Sequence, residues 1–249
     1  MILFLTHEKD FFAKQCYLML KYQYQVPTRW VSWQSFKKQS QCHTLGLGTV
    51  FNPLFPPPEQ VNVLYVNLMG ISEFSFGDAT DKQYHLHSWL GFLMWYANEV
   101  DVCINSLKHV YFSPGLWTKQ YIRRKAASLG LNTQQDHKNK ANIVCTFVGN
   151  QLEVENKRIL SLLGHQKIDA SFKLMQAMGV TFGQLLFDET LSLCKFSPCI
   201  QIQITVPVII KACRYMLLQL SNKGFVYSHA LEDVGQWTIA SSLRPKMIG

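Results

Sequence analysis

Short apolar runs and stretches with helical spacing alternate along the first half of the chain. Apolar runs of strand length are found at Ile2–Leu5, Val26–Trp33, Val61–Leu68 and Val102–Ile104. Apolar residues recur at helical spacing in residues 11–20, Tyr84–Glu99 and Thr118–Leu129. Strands that alternate with crossover helices are typical of an open parallel sheet. The pattern therefore predicts an α/β domain over residues 1–131, with a parallel sheet and helices packed against it.

The second half is less regular and begins with the pattern of a β-hairpin. Strands at Ile143–Val148 and Gln151–Glu155 flank a turn at Gly149-Asn150. Two more strands are predicted at Val180–Phe187 and Leu191–Phe196, and two helices at Ile168–Met178 and Val206–Leu220. These elements predict an α+β subdomain over residues 143–222. Residues 223–249 follow it as a C-terminal arm.

Composition changes this picture mainly by excluding classes of protein. The chain has 249 residues, of which 48% are hydrophobic and 16% charged, so it is neither disordered nor collagen-like. Its seven cysteines include no CxxC pair, which favours reduced thiols over a disulfide framework and argues against a zinc site. The apolar stretches are shorter than the roughly 20 residues that cross a bilayer. We therefore expect a cytoplasmic protein without a membrane span.

Charge and short motifs give little direct information about chemistry. The 24 Lys+Arg residues against 16 Asp+Glu residues give a formal net charge of +8, which suits an acidic partner or nucleic acid. The chain contains no GxSxG, HExxH, GxGxxG or GxxxxGK[ST] motif, so the common hydrolase, metalloprotease, dinucleotide and P-loop signatures are absent. The chemistry has to be inferred from longer patterns.

Several segments resemble a known family in the same order along the chain. Leu90–Glu99, Val102–Asn105 and Trp117–Leu131 resemble the end of the N-terminal domain of ATP-grasp ligases. They are most similar to the branch with ribosomal-protein-modifying glutamate ligases and peptide-macrocyclising maturases. Farther on, Thr146–Asn150 resembles the family's Val-Gly-Asp hairpin, and Met178–Gly183 resembles its Leu-Gly-Leu-x-Phe-Gly strand. The resemblance implies a pre-ATP-grasp-like parallel sheet followed by an ATP-grasp-like α+β subdomain.

The chain departs from the family where ATP and magnesium would bind. The family strand after Phe-Gly ends in an acidic residue, whereas here it reads Gln184–Phe187. The family's next strand carries Glu-x-Asn-Pro, and Lys195 and Ser197 stand at the Glu and Asn positions. Because Mg²⁺ requires hard oxygen ligands, a lysine there repels it. Residues 132–142 are also too few for the family's adenine-binding strands and second phosphate lysine.

These departures imply a degenerate, truncated ATP-grasp-like protein without catalytic residues, metal or cofactor. The leading hypothesis is a non-catalytic adaptor or scaffold subunit that binds a protein partner in a bacterial enzyme complex, with peptide modification as its context. Partner-binding candidates are Lys119, Arg123, Arg124 and Lys125, together with Trp237 in the C-terminal arm. The resemblance also places Lys119 at a residual phosphate position, but without the nucleotide clamp the simpler interpretation is an exposed lysine at a helix start beside Arg123 and Arg124.

Two hypotheses from other classes stay open at this stage. The first is a working ATP-dependent carboxylate-amine ligase with an atypical site that uses Asp188 and Glu189 as ligands. The simpler interpretation of this acidic pair is a solvated turn. The second is a basic nucleic-acid-binding module, which no recognised reading motif supports.

Overall fold

The structure is a computed structural model, and it describes residues 1–32, 43–45, 49–51, 55–67, 90–105, 118–133, 143–155 and 157–221. The strands are β1 (Ile2–Thr6), β2 (Thr28–Ser32), β3 (His43–Leu45), β4 (Thr49–Phe51), β5 (Val63–Val66), β6 (Val102–Ile104), β7 (Ile143–Val148), β8 (Gln151–Val154), β9 (Phe182–Phe187) and β10 (Leu193–Ser197). The α-helices are α1 (Phe11–Leu18), α2 (residues 90–99), α3 (Lys119–Ser128), α4 (Lys157–Ala177) and α5 (Val206–Ser221). A π-helical segment (Met19–Gln23) continues α1, and a short 3₁₀ helix (Pro58–Gln60) precedes β5.

The first sheet is parallel and has the strand order β2-β1-β5-β6. All five residues of β1 and all four of β5 are buried, as expected for parallel strands that are covered on both faces. The side chains of Ile2 and Phe4 pack with α1 and α5 in one apolar cluster. Leu3 and Leu5 pack with α2 in another. This half therefore has the helix–sheet–helix layering that the alternating pattern predicts.

Side-chain hydrogen bonds cap the N-termini of α1 and α3, and a glycine follows the C-terminus of α3. The Oδ1 atom of Asp10 accepts a hydrogen bond from the backbone N–H of Ala13 at 3.0 Å and caps the N-terminus of α1. The hydroxyl of Thr118 accepts from the N–H of Tyr121 at 3.1 Å and caps α3. After α3 the chain turns at Gly130, whose φ of 85° is accessible to glycine. The sequence prediction of a helix that stops at Gly130 is confirmed.

The second sheet is antiparallel and has the order β10-β9-β7-β8. One face of it is covered by α3 and α4 through an apolar cluster that includes Phe147, Leu185 and Leu174. Helix α4 begins at Lys157, earlier than the helix predicted from Ile168. Gly164 has φ 69° and ψ 161° within it and divides it into two segments. The break at Gly164 interrupts the helix, so the apolar residues of its two segments do not form one continuous helical stripe.

Helix α5 connects the two sheets. Its buried residues, among them Ala212 and Met216, share one apolar cluster with Phe4 of β1 and Phe182 of β9. The fold class predicted from the sequence, a parallel α/β layer followed by an α+β subdomain, is confirmed. None of the helices in the described part of the chain is long and apolar enough to cross a membrane.

Candidate functional site

The candidate site lies on the paired strands β9 and β10, where the family resemblance places the magnesium ligands. In the antiparallel register of these strands, Lys195 lies opposite Leu186 and Ser197 lies opposite Gln184. None of these four side chains is a carboxylate. Lys195 is exposed, whereas Leu186, Ser197 and Gln184 are buried. The register therefore brings a cation, an alcohol, an amide and an apolar side chain together.

Ser197 is engaged in local hydrogen bonding. Its Oγ atom donates to the carbonyl oxygen of Cys199 at 2.9 Å and lies 3.4 Å from the Sγ atom of the same residue. Burial raises the pKa of Cys199 to about 11, with a smaller opposing contribution from the hydrogen bond to Ser197. This shift favours the protonated thiol at neutral pH, which is the form that is not an activated nucleophile.

Gln184 has a fully buried amide that fixes the segment after β10. Its Nε2 atom donates to the hydroxyl of Thr146 at 3.0 Å and to the carbonyl of Ile202 at 2.6 Å. Its Oε1 atom accepts from the backbone N–H groups of Gln201 and Ile202 at 3.0 and 3.1 Å. All four hydrogen-bonding positions are therefore used inside the protein. This amide serves the fold, and it holds the chain after β10 against β9.

The sequence predicts that Asp188 lies in a solvated turn, and the structure shows that its side chain is buried instead. The residue follows β9 directly and is 1% exposed, whereas Glu189 is exposed. Its Oδ1 atom accepts from the N–H and the hydroxyl of Thr190 and from the N–H of Ser192 at 2.7 to 2.9 Å. The carboxylate is buried because the turn folds its own donors onto it. The solvated-turn interpretation is therefore wrong for Asp188 and holds for Glu189.

No group of three or more His, Cys, Asp or Glu side chains in the described part of the chain is arranged to hold a metal ion. The carboxylate of Asp188 is near β9 and β10, but its Oδ1 atom already accepts three hydrogen bonds. Lys195 carries a positive charge on the same pair of strands. Within the described residues, the register of β9 and β10 therefore brings no pair of carboxylates together for a magnesium ion.

Helix α3 presents the basic residues that the sequence singled out. Lys119 and Arg124 are exposed, and Arg123 and Lys125 are half-buried. Lys119 is the first residue of the helix, which agrees with its interpretation as an exposed lysine at a helix start. Trp237, the remaining partner-binding candidate, lies outside the described residues. The structure brings the four basic residues together on one helix and gives no location for the fifth candidate.

Asn105 joins the two sheets, a role that the sequence did not reveal. It follows β6, is 2% exposed and has φ 61°. Its Nδ2 atom donates to the carbonyls of Phe182 and Pro198, both at 2.8 Å. Its Oδ1 atom accepts from the N–H groups of Thr181 and Phe182 at 2.9 and 2.8 Å. Asn105 therefore fixes the start of β9 and the end of β10 relative to the parallel sheet.

Solved structures with a similar fold include peptide macrocyclases and ATP-grasp ligases. The macrocyclase MdnB from Microcystis aeruginosa MRC has a TM-score of 0.61 and 13% identity over 88% of this chain and 98% of that chain. The macrocyclase MdnC from the same source, bound with precursor peptide MdnA, has a TM-score of 0.61 and 11% identity over 89% of this chain and 100% of that chain.

A third neighbour was solved with both a nucleotide and peptides. It is a RiPP-associated ATP-grasp ligase from Chryseobacterium gregarium in complex with ADP and a leader and core peptide, with a TM-score of 0.60 and 10% identity. The match covers 88% of this chain and 96% of that chain. No family model matches the sequence, and no curated protein matches it. The comparisons therefore show an ATP-grasp-ligase-like fold, which confirms the resemblance at the level of the fold.

Proposed function

We propose that this protein is a non-catalytic relative of the peptide-modifying ATP-grasp ligases that binds a peptide or protein partner. In this proposal the metal ligands and the nucleotide lid of the family have been lost, and the protein serves as an adaptor or scaffold in a bacterial, cytoplasmic complex. Its units are the domain of residues 1–131, the subdomain of residues 143–222 and the arm of residues 223–249. It has no catalytic residue, metal or cofactor of its own.

The observation that carries the proposal is the composition of the β9–β10 pair. Lys195 and Ser197 stand at the positions of the family's Glu and Asn, and their register partners are Leu186 and Gln184. The lysine is exposed, and the serine hydroxyl donates to a backbone carbonyl. Without magnesium to bridge and neutralise the phosphates, phosphoryl transfer loses the main source of its electrostatic stabilisation. A retained fold with these substitutions favours binding over catalysis.

The partner class in the proposal follows from the structural neighbours. MdnC was solved with precursor peptide MdnA, and the Chryseobacterium gregarium ligase was solved with a leader and core peptide. A chain that keeps this fold and loses the magnesium ligands can still offer a surface to a peptide. We therefore assign a peptide or protein partner, with peptide modification as the context of the complex.

Calorimetric titration tests the absence of nucleotide binding. We expect no heat of binding when ATP or ADP is added with Mg²⁺, because β9 and β10 supply no carboxylate pair for the metal. The ADP-binding ligase from Chryseobacterium gregarium is the positive control under the same conditions. A binding isotherm in the micromolar range that depends on Mg²⁺ would contradict the proposal.

Two variants locate the binding site if nucleotide does bind. Lys119→Ala removes the residual phosphate position, and Asp188→Asn removes the buried carboxylate of the alternative ligase site. Loss of Mg²⁺-dependent binding or of phosphate release in either variant would support the working-ligase hypothesis. Glu189→Gln is the matched control for Asp188→Asn, since Glu189 is the exposed neighbour in the same turn.

A further inference from the structure

The solvent side of α1 carries a stripe of apolar side chains. Phe11 is 52% exposed, and Tyr22, in the π-helical segment that continues α1, is 66% exposed. Leu18 lies between them in sequence and is half-buried. Positions 11 and 18 are two helical turns apart and share one face, and position 22 follows one turn later. The stripe therefore occupies the side of a surface helix on which polar residues are expected.

Packing on the opposite side of α1 prevents this stripe from turning inward. Phe12, Ala13, Cys16 and Leu20 are fully buried, and they belong to the apolar cluster that α1 shares with β1 and α5. The chain is described without a break from residue 1 to residue 32, so α1 is held by defined structure on both of its sides. Exposure of the stripe is therefore a property of a packed helix and not of a frayed end.

Two lysines border the stripe on one side. Lys14, Tyr17 and Lys21 follow one another at spacings of three and four residues, so they lie on the same side of the helix. The amine of Lys21 donates to the hydroxyl of Tyr17 at 3.0 Å and lies 5.4 Å from the ring centroid of Tyr22. Both groups are neutral, and the hydrogen bond to Tyr17 raises the pKa of Lys21. The border therefore keeps its positive charge at neutral pH.

The acidic residues near α1 are engaged before the helix begins. The carboxylate of Asp10 accepts from the side chains of Thr6 and Asn67, both at 2.6 Å. Glu8 accepts from the hydroxyl of Ser32 at 3.1 Å. These contacts hold both acids at the carboxyl ends of parallel strands. Neither α1 nor the π-helical segment contains an acidic residue, so the charged residues within them are all cations.

The apolar stripe and its basic border form one surface, which we call the α1 outer face. It consists of Phe11, Lys14, Leu18, Lys21 and Tyr22. We propose that the α1 outer face docks an amphipathic, acidic helix of the protein partner, an inference that rests on the proposed role as a non-catalytic binding protein. The face is about 17 Å long at 1.5 Å per residue, which a helix of about 12 residues spans. Apolar anchors at i, i+4 and i+7 would cover the stripe, and carboxylates along one edge would reach the lysines.

The charge of the α1 outer face favours an acidic partner over a second copy of this chain. Two copies that met through this face would bring their Lys14 and Lys21 side chains together, because a symmetric contact uses the same patch on both subunits. The chain as a whole has a formal net charge of +8. Like charges oppose association across an interface, whereas carboxylates on a partner favour it.

A polar residue beside the stripe favours a protein partner over a lipid surface. Gln15 follows Phe11 by one turn and is half-buried. A helix at a membrane interface immerses a continuous apolar face, and an amide immersed with it would lose its hydrogen bonds to water. A partner helix can instead place a hydrogen-bonding side chain opposite Gln15.

Fluorescence anisotropy on the full chain tests the proposed docking surface. The probe is a labelled helix-forming peptide of about 14 residues, with leucine at helical spacing, glutamate along both flanks and alanine elsewhere. A second peptide has lysine in place of glutamate, and a third has serine in place of leucine. We expect the leucine–glutamate peptide to bind more tightly than the other two, with an affinity that falls as salt is added.

Tyr22→Ser tests the apolar part of the surface. We expect the affinity for the leucine–glutamate peptide to fall about tenfold, because the partner can no longer bury the exposed ring. Leu162→Ser on α4 is the matched control, since Leu162 is 65% exposed, and it should leave the affinity nearly unchanged. Equal losses in the two variants, or no loss in Tyr22→Ser, would overturn the assignment of the surface.

Lys14→Gln/Lys21→Gln tests the basic border. We expect about a fivefold loss of affinity at low salt and a smaller loss at high salt, because screening weakens exposed charge pairs. Arg158→Gln/Lys173→Gln removes the same net charge at exposed positions of α4 and should have little effect. A loss of the same size in both double variants would assign the effect to net charge and would overturn the role of the border.

Two further measurements decide between the possible occupants of the surface. A dimer in sedimentation velocity that Tyr22→Ser dissociates would replace the acidic helix with a second copy of the chain. Vesicles of phosphatidylcholine and phosphatidylserine are the lipid probe in cosedimentation. Vesicle binding that Tyr22→Ser abolishes, combined with no binding of the leucine–glutamate peptide, would replace the acidic helix with a membrane surface. A monomer that binds the peptide and not the vesicles would support the proposal.

The outcomes separate this inference from the proposed function. Failure of the leucine–glutamate peptide to bind at low salt would overturn the docking surface, while the absence of Mg²⁺–ATP binding would still support a non-catalytic protein. Nucleotide binding together with a peptide affinity that depends on Tyr22 would reject the non-catalytic role and retain the surface.

Discussion

Replacing Asn105 with alanine is expected to lower the free energy of unfolding by about 3–4 kcal/mol. The substitution removes the partner of two carbonyls and two N–H groups at the start of β9 and the end of β10. The two hydrogen bonds to Phe182 are buried and the other two are partly buried, and a buried group left unsatisfied costs about 1–3 kcal/mol. Alanine also fits poorly at a φ of 61°, a region that Asn and Gly adopt far more readily. Urea unfolding followed by far-ultraviolet circular dichroism measures the loss.

Asn105→Gly separates the two contributions to this loss. Glycine adopts the positive φ without strain but supplies no hydrogen bonds, so we expect it to be more stable than the alanine variant by about 1 kcal/mol. Asn150→Ala, in the exposed β7–β8 turn, is the control for loss of an asparagine and should change stability by less than about 0.5 kcal/mol. Equal stabilities for wild type and Asn105→Ala would show that the four hydrogen bonds do not hold the sheets together.

The parallel sheet could be predicted from the sequence because its strands are buried on both faces. Such strands read as continuous apolar runs, and β1 and β5 have this form within the predicted runs Ile2–Leu5 and Val61–Leu68. Helix α3 could also be predicted, since Thr118 and Gly130 mark its two ends. These features depend on residues close in the chain, so local pattern is enough to find them.

The hydrogen bonds of Asn105 between the two sheets could not be predicted, because their partners are distant in the sequence. Asn105 contacts backbone groups 76 to 93 residues away, and no periodicity encodes such a pairing. The strand ending in Asn was part of the family resemblance, but its structural role required the fold. Gln184 gave a weak signal, since a single amide inside the apolar strand FGQLLF has to find buried partners.

Asp188 shows how an interpretation of a charged pair fails. Two adjacent acids after a strand are usually solvated, and Glu189 is exposed in this way. The residues that bury Asp188 are nevertheless local, because Thr190 and Ser192 donate to its Oδ1 atom. An aspartate that begins a turn can accept from the backbone N–H groups two and four residues later, and the hydroxyl of Thr190 adds a third donor. The sequence therefore contained a local indication of this turn, but the two adjacent charges favoured the solvated interpretation.

The polar side chains of the candidate site form hydrogen bonds within the protein. Gln184 uses its whole amide to hold the segment after β10, and Ser197 bonds to Cys199. Side chains that close their own hydrogen bonds are stable without a ligand, whereas converging carboxylates repel one another until a cation binds. The hydrogen bonds of this strand pair are therefore closed without a metal, which supports the proposed role as a non-catalytic binding protein.

Replacing Phe182 with alanine is expected to cost about 3–5 kcal/mol and to loosen both sheets together. Phe182 is fully buried on β9, and its ring lies 6.3 Å from that of Phe12 on α1, 6.2 Å from that of Tyr65 on β5 and 5.3 Å from that of Tyr215 on α5. The cavity would therefore open between the parallel sheet, β9 and α5. Urea unfolding measures the cost, and hydrogen exchange locates it.

Phe147→Ala is the matched control for this cavity. Phe147 is also buried within the second sheet, but it faces α4, where its ring meets that of Phe172 at 5.1 Å. A similar loss of total stability is expected, with reduced amide protection in β7, β9 and α4 rather than in β1 and β5. In Phe182→Ala, reduced protection should include β1 and β5, because their core is shared with β9. Unchanged protection in these parallel strands would show that the aromatic contacts of Phe182 do not couple the two halves of the chain.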